Sequence, residues 1–158
     1  MQKKQSAGLL LYRRYSGDPE VFLVHLGGPF WKKKDDGAWS IPKGEFVDGE
    51  DALSAAIREF YEETGYQLKG NFIELQSIKL ESGKIVFAWA IEKDIDAAKI
   101  ISNHFEMEWP PRSGIYQSFP EVDKAAWFNF EIAKKKINIM QVGLLEQLEH
   151  KLRINSSP

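Results

Sequence analysis

The stretch from Asp48 to Tyr66, "DGEDALSAAIREFYEETGY", constrains the fold of this chain more tightly than any other. Leu53, Ala56, Ile57 and Phe60 recur at i, i+3, i+4 and i+7, which is the period of a helix that buries one stripe. Asp48 is placed to cap its N-terminus, and Asp51 adds negative charge where the helix dipole favours it. Gly65 fits the position just past the last turn, where a left-handed residue ends a helix.

Short apolar runs flank this helix. "GLLLYRRY" and "EVFLVHLG" are separated by the turn-forming "SGDP" and predict a strand pair. A polar loop, "GGPFWKKKDDGA", leads to the short run "WSIP", which Pro42 and Gly44 stop. Beyond the helix, "FIELQSIKL" and "KIVFAWAIE" predict two more strands about an "ESG" turn. "SNHFEMEWPPRSGIYQSFPEVDKAA" predicts a long, ordered and functional loop. "WFNF" then predicts a short strand, and "INIMQVGLLEQLEHKL" a closing helix with apolar positions Ile139, Val142, Leu145 and Leu148.

With 158 residues and no repeat or linker, a single domain spanning 1–158 is expected. Net charge is -2, so no global basic field points to nucleic acid. The absence of cysteine excludes disulfides, thiol catalysis and cysteine-ligated metal. The apolar run at Ala7–Tyr12 is too short for a signal peptide and meets Arg13 and Arg14 at once. No stretch approaches the ~20 apolar residues of a membrane span. A cytoplasmic protein is expected.

Glu59, Glu62 and Glu63 share one side of the helix, away from the apolar stripe, and that side is expected to be exposed. Like charges at this spacing cost roughly 0.2–0.5 kcal/mol per pair. Arg58 offsets part of this through Glu62, and a hard divalent cation offsets it better, because Mg²⁺ is typically held by carboxylates, water and substrate phosphate.

The segment resembles the Nudix box, G-x5-E-x7-R-E-U-x-E-E-x-G-U, with U a bulky aliphatic. Gly44, Glu50, Arg58, Glu59, Glu62, Glu63 and Gly65 fill every fixed position, while Phe60 and Tyr66 put aromatic residues at U. The resemblance implies an α/β fold, an α/β/α sandwich around a mixed β-sheet with the box as loop–helix–loop. It implies that Glu59, Glu62 and Glu63 bind Mg²⁺ or Mn²⁺, with the Gly44 carbonyl completing the site. Glu50 and Arg58 would form a structural ion pair, with Gly65 ending the helix. The activity implied is hydrolysis of a nucleoside diphosphate linked to a further group X, by water attack at phosphorus. The flanking "GAWSIPKGE" is similar to a segment of diadenosine polyphosphate hydrolases and of enzymes that clean nucleoside triphosphate pools. A rival is a non-catalytic module that senses a nucleotide or sugar nucleotide with the same pocket.

Which carboxylate takes the proton from water stays open. Glu59 and Glu63 are candidates within the box. Glu121, in "FPEVDKAAWF", stands where some family members carry a late glutamate and is favoured over Glu106 and Glu108. Lys43, against the box, and Arg112, in "WPPRSG", are expected to contact substrate phosphate. Among Trp31, Trp39, Trp109 and Tyr116, no single residue is assigned to stack on a base. A small nucleotide-type substrate is the expected partner, and a homodimer is left open.

Overall fold

The computed structural model describes residues 4–15 and 17–156. Its strands are β1 (Gln5–Tyr15), β2 (Asp18–Leu26), β3 (Trp39–Ser40), β4 (Lys43–Phe46), β5 (Ile73–Glu74), β6 (Ile78–Lys79), β7 (Ile85–Glu92), β8 (His104–Glu108), β9 (Tyr116–Pro120) and β10 (Val122–Asn129). The α-helices are α1 (Ala52–Thr64), α2 (Phe130–Lys136) and α3 (Val142–Ser156).

β1 has no polar alternation in its apolar run because both of its faces are covered. Ala7, Leu9 and Leu11 join one buried cluster with Ala55, Ala56 and Phe60 of α1. Leu10 and Tyr12 join a second cluster with Leu144, Leu145 and Leu148 of α3. β2 divides its residues in the same way, with Phe22 and Val24 toward α1 and Val21 and Leu23 toward α3. The result is a helix layer on each side of one sheet, an α/β/α sandwich.

The sheet runs β10-β2-β1-β7-β5, with β3 on β2, β4 on β1 and β6 on β7. It is mixed. β1 and β7 are parallel, with Gln5 opposite Ile85, and the other pairs are antiparallel. A parallel neighbour needs a crossover, and α1 with the following short strands provides it. No helix among the described residues is long and apolar enough to cross a membrane.

Several expectations need correction. The box helix begins at Ala52 and not near Asp48: Asp51 is the N-cap, its carboxylate accepting from the Ser54 amide at 3.0 Å. Gly49, at φ 97°, cannot continue a helix toward Asp48. Residues 43–46 form β4, because four backbone groups pair with Gln5–Gly8 of β1. "FIELQSIKL" splits into the two-residue strands β5 and β6.

The stretch read as a long loop is largely a β-hairpin. His104 lies opposite Pro120 and Glu108 opposite Tyr116, in a small sheet of its own. Its distal turn carries the Pro, Arg, Ser and Gly residues that suggested irregular chain. Of "WFNF", Trp127–Asn129 end an eight-residue strand, β10, which pairs with β2 from Val122 onward, and Phe130 opens α2. The separate helix α2 was unforeseen; Asn129 caps it through the Ile132 amide. Ile139 falls in a 3₁₀ turn and is 81% exposed, outside the apolar stripe assigned to it, whereas Leu145 and Leu148 are fully buried.

Candidate active site

The site is assembled where β4 lies across the start of β1 and the C-terminal half of α1. Phe60 turns inward and packs on Phe22 at 5.9 Å between ring centroids, which fixes the rotation of α1. Full burial of such a side chain contributes about 1.5–3 kcal/mol. One residue earlier and three later, Glu59 and Glu63 are therefore aimed at β4 and not at water. They are only 8% and 7% exposed. The expectation of an exposed acidic face is corrected here: Glu62 is half-exposed, and the other two acids are covered by the Lys43–Gly44 backbone.

Gly44 permits that cover. A Cβ built at this position would lie 1.9 Å from the Glu59 carboxylate, so only glycine lets the chain approach so closely. The Lys43 backbone N–H donates to the Glu63 carboxylate. Gly65 ends α1 at φ 84°, its N–H donating to the Tyr61 carbonyl.

Arg58 is a hub. Its Nε and Nη2 donate to the two oxygens of Glu50 at 3.0 and 3.1 Å, and its Nη1 donates to Glu59 at 2.8 Å and to Glu62 at 3.3 Å. Such a fork ties the loop before α1 to the helix and sets the direction of the Glu59 carboxylate. Held by these carboxylates, Arg58 has its pKa raised, the Glu50 hydrogen bonds being the largest cause.

Glu121 reaches the box through backbone bonds. The Asn103 amide donates to the Glu62 carbonyl at 2.8 Å, and the Asn103 carbonyl accepts from the Glu121 amide at 2.8 Å. The Glu121 carbonyl in turn accepts from the Gly27 amide at 2.9 Å. Residues 101–103 thus strap the end of α1 to the start of β10. Glu121, Glu63 and Lys43 line one cleft of about 300 Å³, together with Leu26, Ser40, Ile41 and Phe105.

Burial pushes the pKa of Glu63 well above the ordinary carboxylate value, and the nearby Glu121 and Glu59 push it further. Glu59 is raised by burial first and by Glu62 second; Glu121 is raised by burial and then by Glu62. Lys43, deep in the same cleft, is lowered by burial and by Lys84, against the pull of Glu63. Carboxylates are crowded here beyond what Arg58 and Lys43 compensate. An all-oxygen donor set short of positive charge suits a hard divalent cation. Among the described residues no three acids or histidines are already gathered in coordination geometry; Glu59 is turned to Arg58.

Other candidates lie elsewhere. Arg112, at φ 60°, is exposed at the far turn of the β8–β9 hairpin, its amide bonded to Glu108, and does not line the cleft. Glu106 is exposed on β8. Trp39 is a core residue at 5% exposure, Trp31 sits under Lys34, and Trp109 meets Phe30 edge-on. Tyr116 is exposed. Phe105 and the 101–103 strap were missed. The alternation of Phe105, Met107 and Trp109 with Glu106 and Glu108 was the signal available.

The family profile described as NUDIX domain matches residues 3–148 of this chain. The chain belongs to the Nudix family. A 75-residue stretch is 33% identical to "Putative nudix hydrolase 1" of Caenorhabditis elegans, covering 48% of this chain and 19% of that protein. A 29-residue stretch is 62% identical to "Nudix hydrolase 25" of Arabidopsis thaliana, covering 18% of this chain and 17% of that one. The aligned stretches thus span less than a fifth of either relative. Among solved structures, this Nudix chain superposes on a C. elegans Ap4A hydrolase with a TM-score of 0.65 at 24% identity, covering 94% of this chain and 98% of that one. The NUDIX domain of Shewanella oneidensis NrtR, complexed with ADP ribose, gives 0.65 at 15% identity over 96% and 90%. These likenesses establish the Nudix fold.

Proposed function

We propose that this Nudix protein is a divalent-metal-dependent pyrophosphohydrolase. It hydrolyses a nucleoside diphosphate linked to another group X, with dinucleoside polyphosphates and nucleoside triphosphates as the first substrate classes to test. The observation that carries the reading is the cleft in which Glu63, Glu121 and Lys43 meet beside an intact set of box carboxylates.

Glu59, Glu62, Glu63 and the Gly44 carbonyl would hold Mg²⁺ or Mn²⁺. Once bound, the cation neutralises diphosphate charge and lowers the pKa of water. The chain's own groups do the rest. Arg58 keeps Glu59 oriented while itself held by Glu50. Lys43 offers its ammonium to a non-bridging phosphate oxygen. Glu121 takes a proton as the water oxygen bonds to phosphorus and the P–O bond to the leaving phosphate breaks. Glu63 or Glu59 holds the same role if Glu121 does not.

Ap4A hydrolase and ADP-ribose-bound relatives on this fold support a nucleotide-type substrate. The competing reading, a module that binds without turnover, is disfavoured because every fixed box position is filled. A panel of dinucleoside polyphosphates, nucleoside triphosphates and sugar nucleotides, run with Mg²⁺, with Mn²⁺ and with chelator, tests both. Metal-dependent release of phosphate products is expected. Tight binding without turnover across the panel would transfer the assignment to the sensor.

A further inference from the structure

His25 is fully buried, two residues beyond Leu23 on the face of β2 that packs toward α3. Its Nδ1 lies 2.8 Å from an Asp123 carboxylate oxygen, and its Nε2 lies 2.7 Å from the Lys34 carbonyl oxygen. Both neighbours are acceptors. A neutral imidazole has a single N–H and would turn a lone pair toward one of them, so this geometry calls for the doubly protonated ring. The Asp123 carboxylate balances that charge. Lys124, opposite His25 in the β2–β10 register, holds its ammonium over the Trp39 ring, and Trp39 in turn meets the His25 ring edge-on at 5.2 Å between centroids. His25 thus ties the chain ahead of β3 to the start of β10.

Asp123 is the extra residue of a β-bulge. Val122 pairs with Leu26 and Lys124 with His25, so one step along β2 matches two along β10. One extra residue inverts the facing of every side chain on its far side. Ala125 and Trp127 pack in the cluster on the α1 side, whereas Ala126 and Phe128 pack in the other. Unbroken alternation would send Val122 with Ala126, yet it packs with Ala125 and Trp127. Glu121, one residue further, is shifted by the same bulge and lines the cleft. Its carbonyl accepts from the Gly27 amide at 2.9 Å. The two chains press together there, since a Cβ at Gly27 would lie 1.9 Å from the Pro120 carbonyl oxygen. The bulged residue itself is held by the His25 ring.

We propose that His25 is a positioning residue for Glu121: bridging Asp123 and the Lys34 carbonyl, it pins the bulge that turns Glu121 into the cleft. Its catalytic consequence rests on the hydrolase reading with Glu121 as base, whereas its hold on the backbone does not. Replacing the fully buried His25 risks the fold, so the variant of choice is Asp123→Ala, whose side chain is 31% exposed. A neutral His25 can still donate from Nε2 to Lys34 there. With the variant folded, kcat on diadenosine tetraphosphate should fall about tenfold or more, because a misplaced catalytic group loses its alignment, while KM stays within about twofold. In a Glu121→Gln background the same substitution should change kcat by less than about twofold, since both changes remove one function. Amide hydrogen exchange at Gly27, which donates to Glu121, should be about tenfold faster in Asp123→Ala than in wild type. A kcat within twofold of wild type, an equal fall in the Glu121→Gln background, or unchanged exchange at Gly27 each overturns the proposal. If wild type hydrolyses no nucleotide, the hydrolase reading falls instead, and exchange at Gly27 still decides whether the His25–Asp123 pair holds Glu121.

Discussion

Glu63 combines two properties that a surface acid does not: it is buried, and its neighbours are acids. Its native pKa is raised above the ordinary 4.5, by burial first and by Glu121 second. The sign of the linkage follows. The neutral form is favoured in the native state, so the stabilising contribution is complete below pH 4.5 and disappears as pH rises through the raised value. Glu63→Gln keeps the neutral shape at every pH. Without metal, the variant's Tm should exceed that of wild type by a margin that widens with pH above 4.5, while hydrolysis is largely lost. A margin that is constant with pH would mean that the carboxyl does not titrate in this range.

Glu121→Gln belongs to the same scale, because the change is a single oxygen. If Glu121 is the base, kcat should drop about 10²–10⁴-fold, with KM nearly unchanged, since a base acts in the transition state. A rate within twofold of wild type would pass the role to Glu59 or Glu63.

At the scale of the element, the start of α1 shows how one turn of chain decides which acid does what. Asp48 and Asp51 are both capping residues by type. Asp51 takes the place because Gly49 adopts a positive φ, and its carboxylate also accepts from the Ser54 hydroxyl at 3.0 Å. Asp51→Ala should lower stability by about 1 kcal/mol, measured by urea unfolding. Asp48→Ala, at an exposed loop position, should stay within about 0.5 kcal/mol. The reverse order would place the helix start where the sequence pattern first suggested it. The β8–β9 hairpin belongs here too. A two-stranded ribbon off the main sheet contributes few hydrophobic residues to the core, so its alternation is weak and its turn-rich tip dominates the sequence signal.

For the whole molecule, the two helix layers have separable tasks. α1 positions the acids, whereas α3 covers the opposite face of the sheet, with Leu144, Leu145 and Leu148 fully buried. Leu148→Ala should therefore cost about 2–5 kcal/mol through the cavity it leaves. At a temperature where the variant is folded, kcat should remain within about twofold of wild type. A large loss of kcat in fully folded variant would mean that the far layer tunes the cleft.

The amino-acid sequence by itself determined the box helix, the strand pair β1–β2, strand β7 and the family, because each rests on local period or on residue spacing. Spacing alone also grouped Glu59, Glu62 and Glu63 on one side of the helix, while the resemblance named Glu50 with Arg58, and Glu121 by its place in the chain. What it could not determine was the cover over the helix. A helical wheel shows Glu59 and Glu63 facing away from Phe60's stripe; only the crossing of β4 over α1, allowed by Gly44, turns that side into a buried wall. The meeting of Glu121 with Glu63 was equally a tertiary matter. It depends on Asn103 bonding backbone to backbone on two sides, and backbone bonds of that kind leave no trace in side-chain pattern.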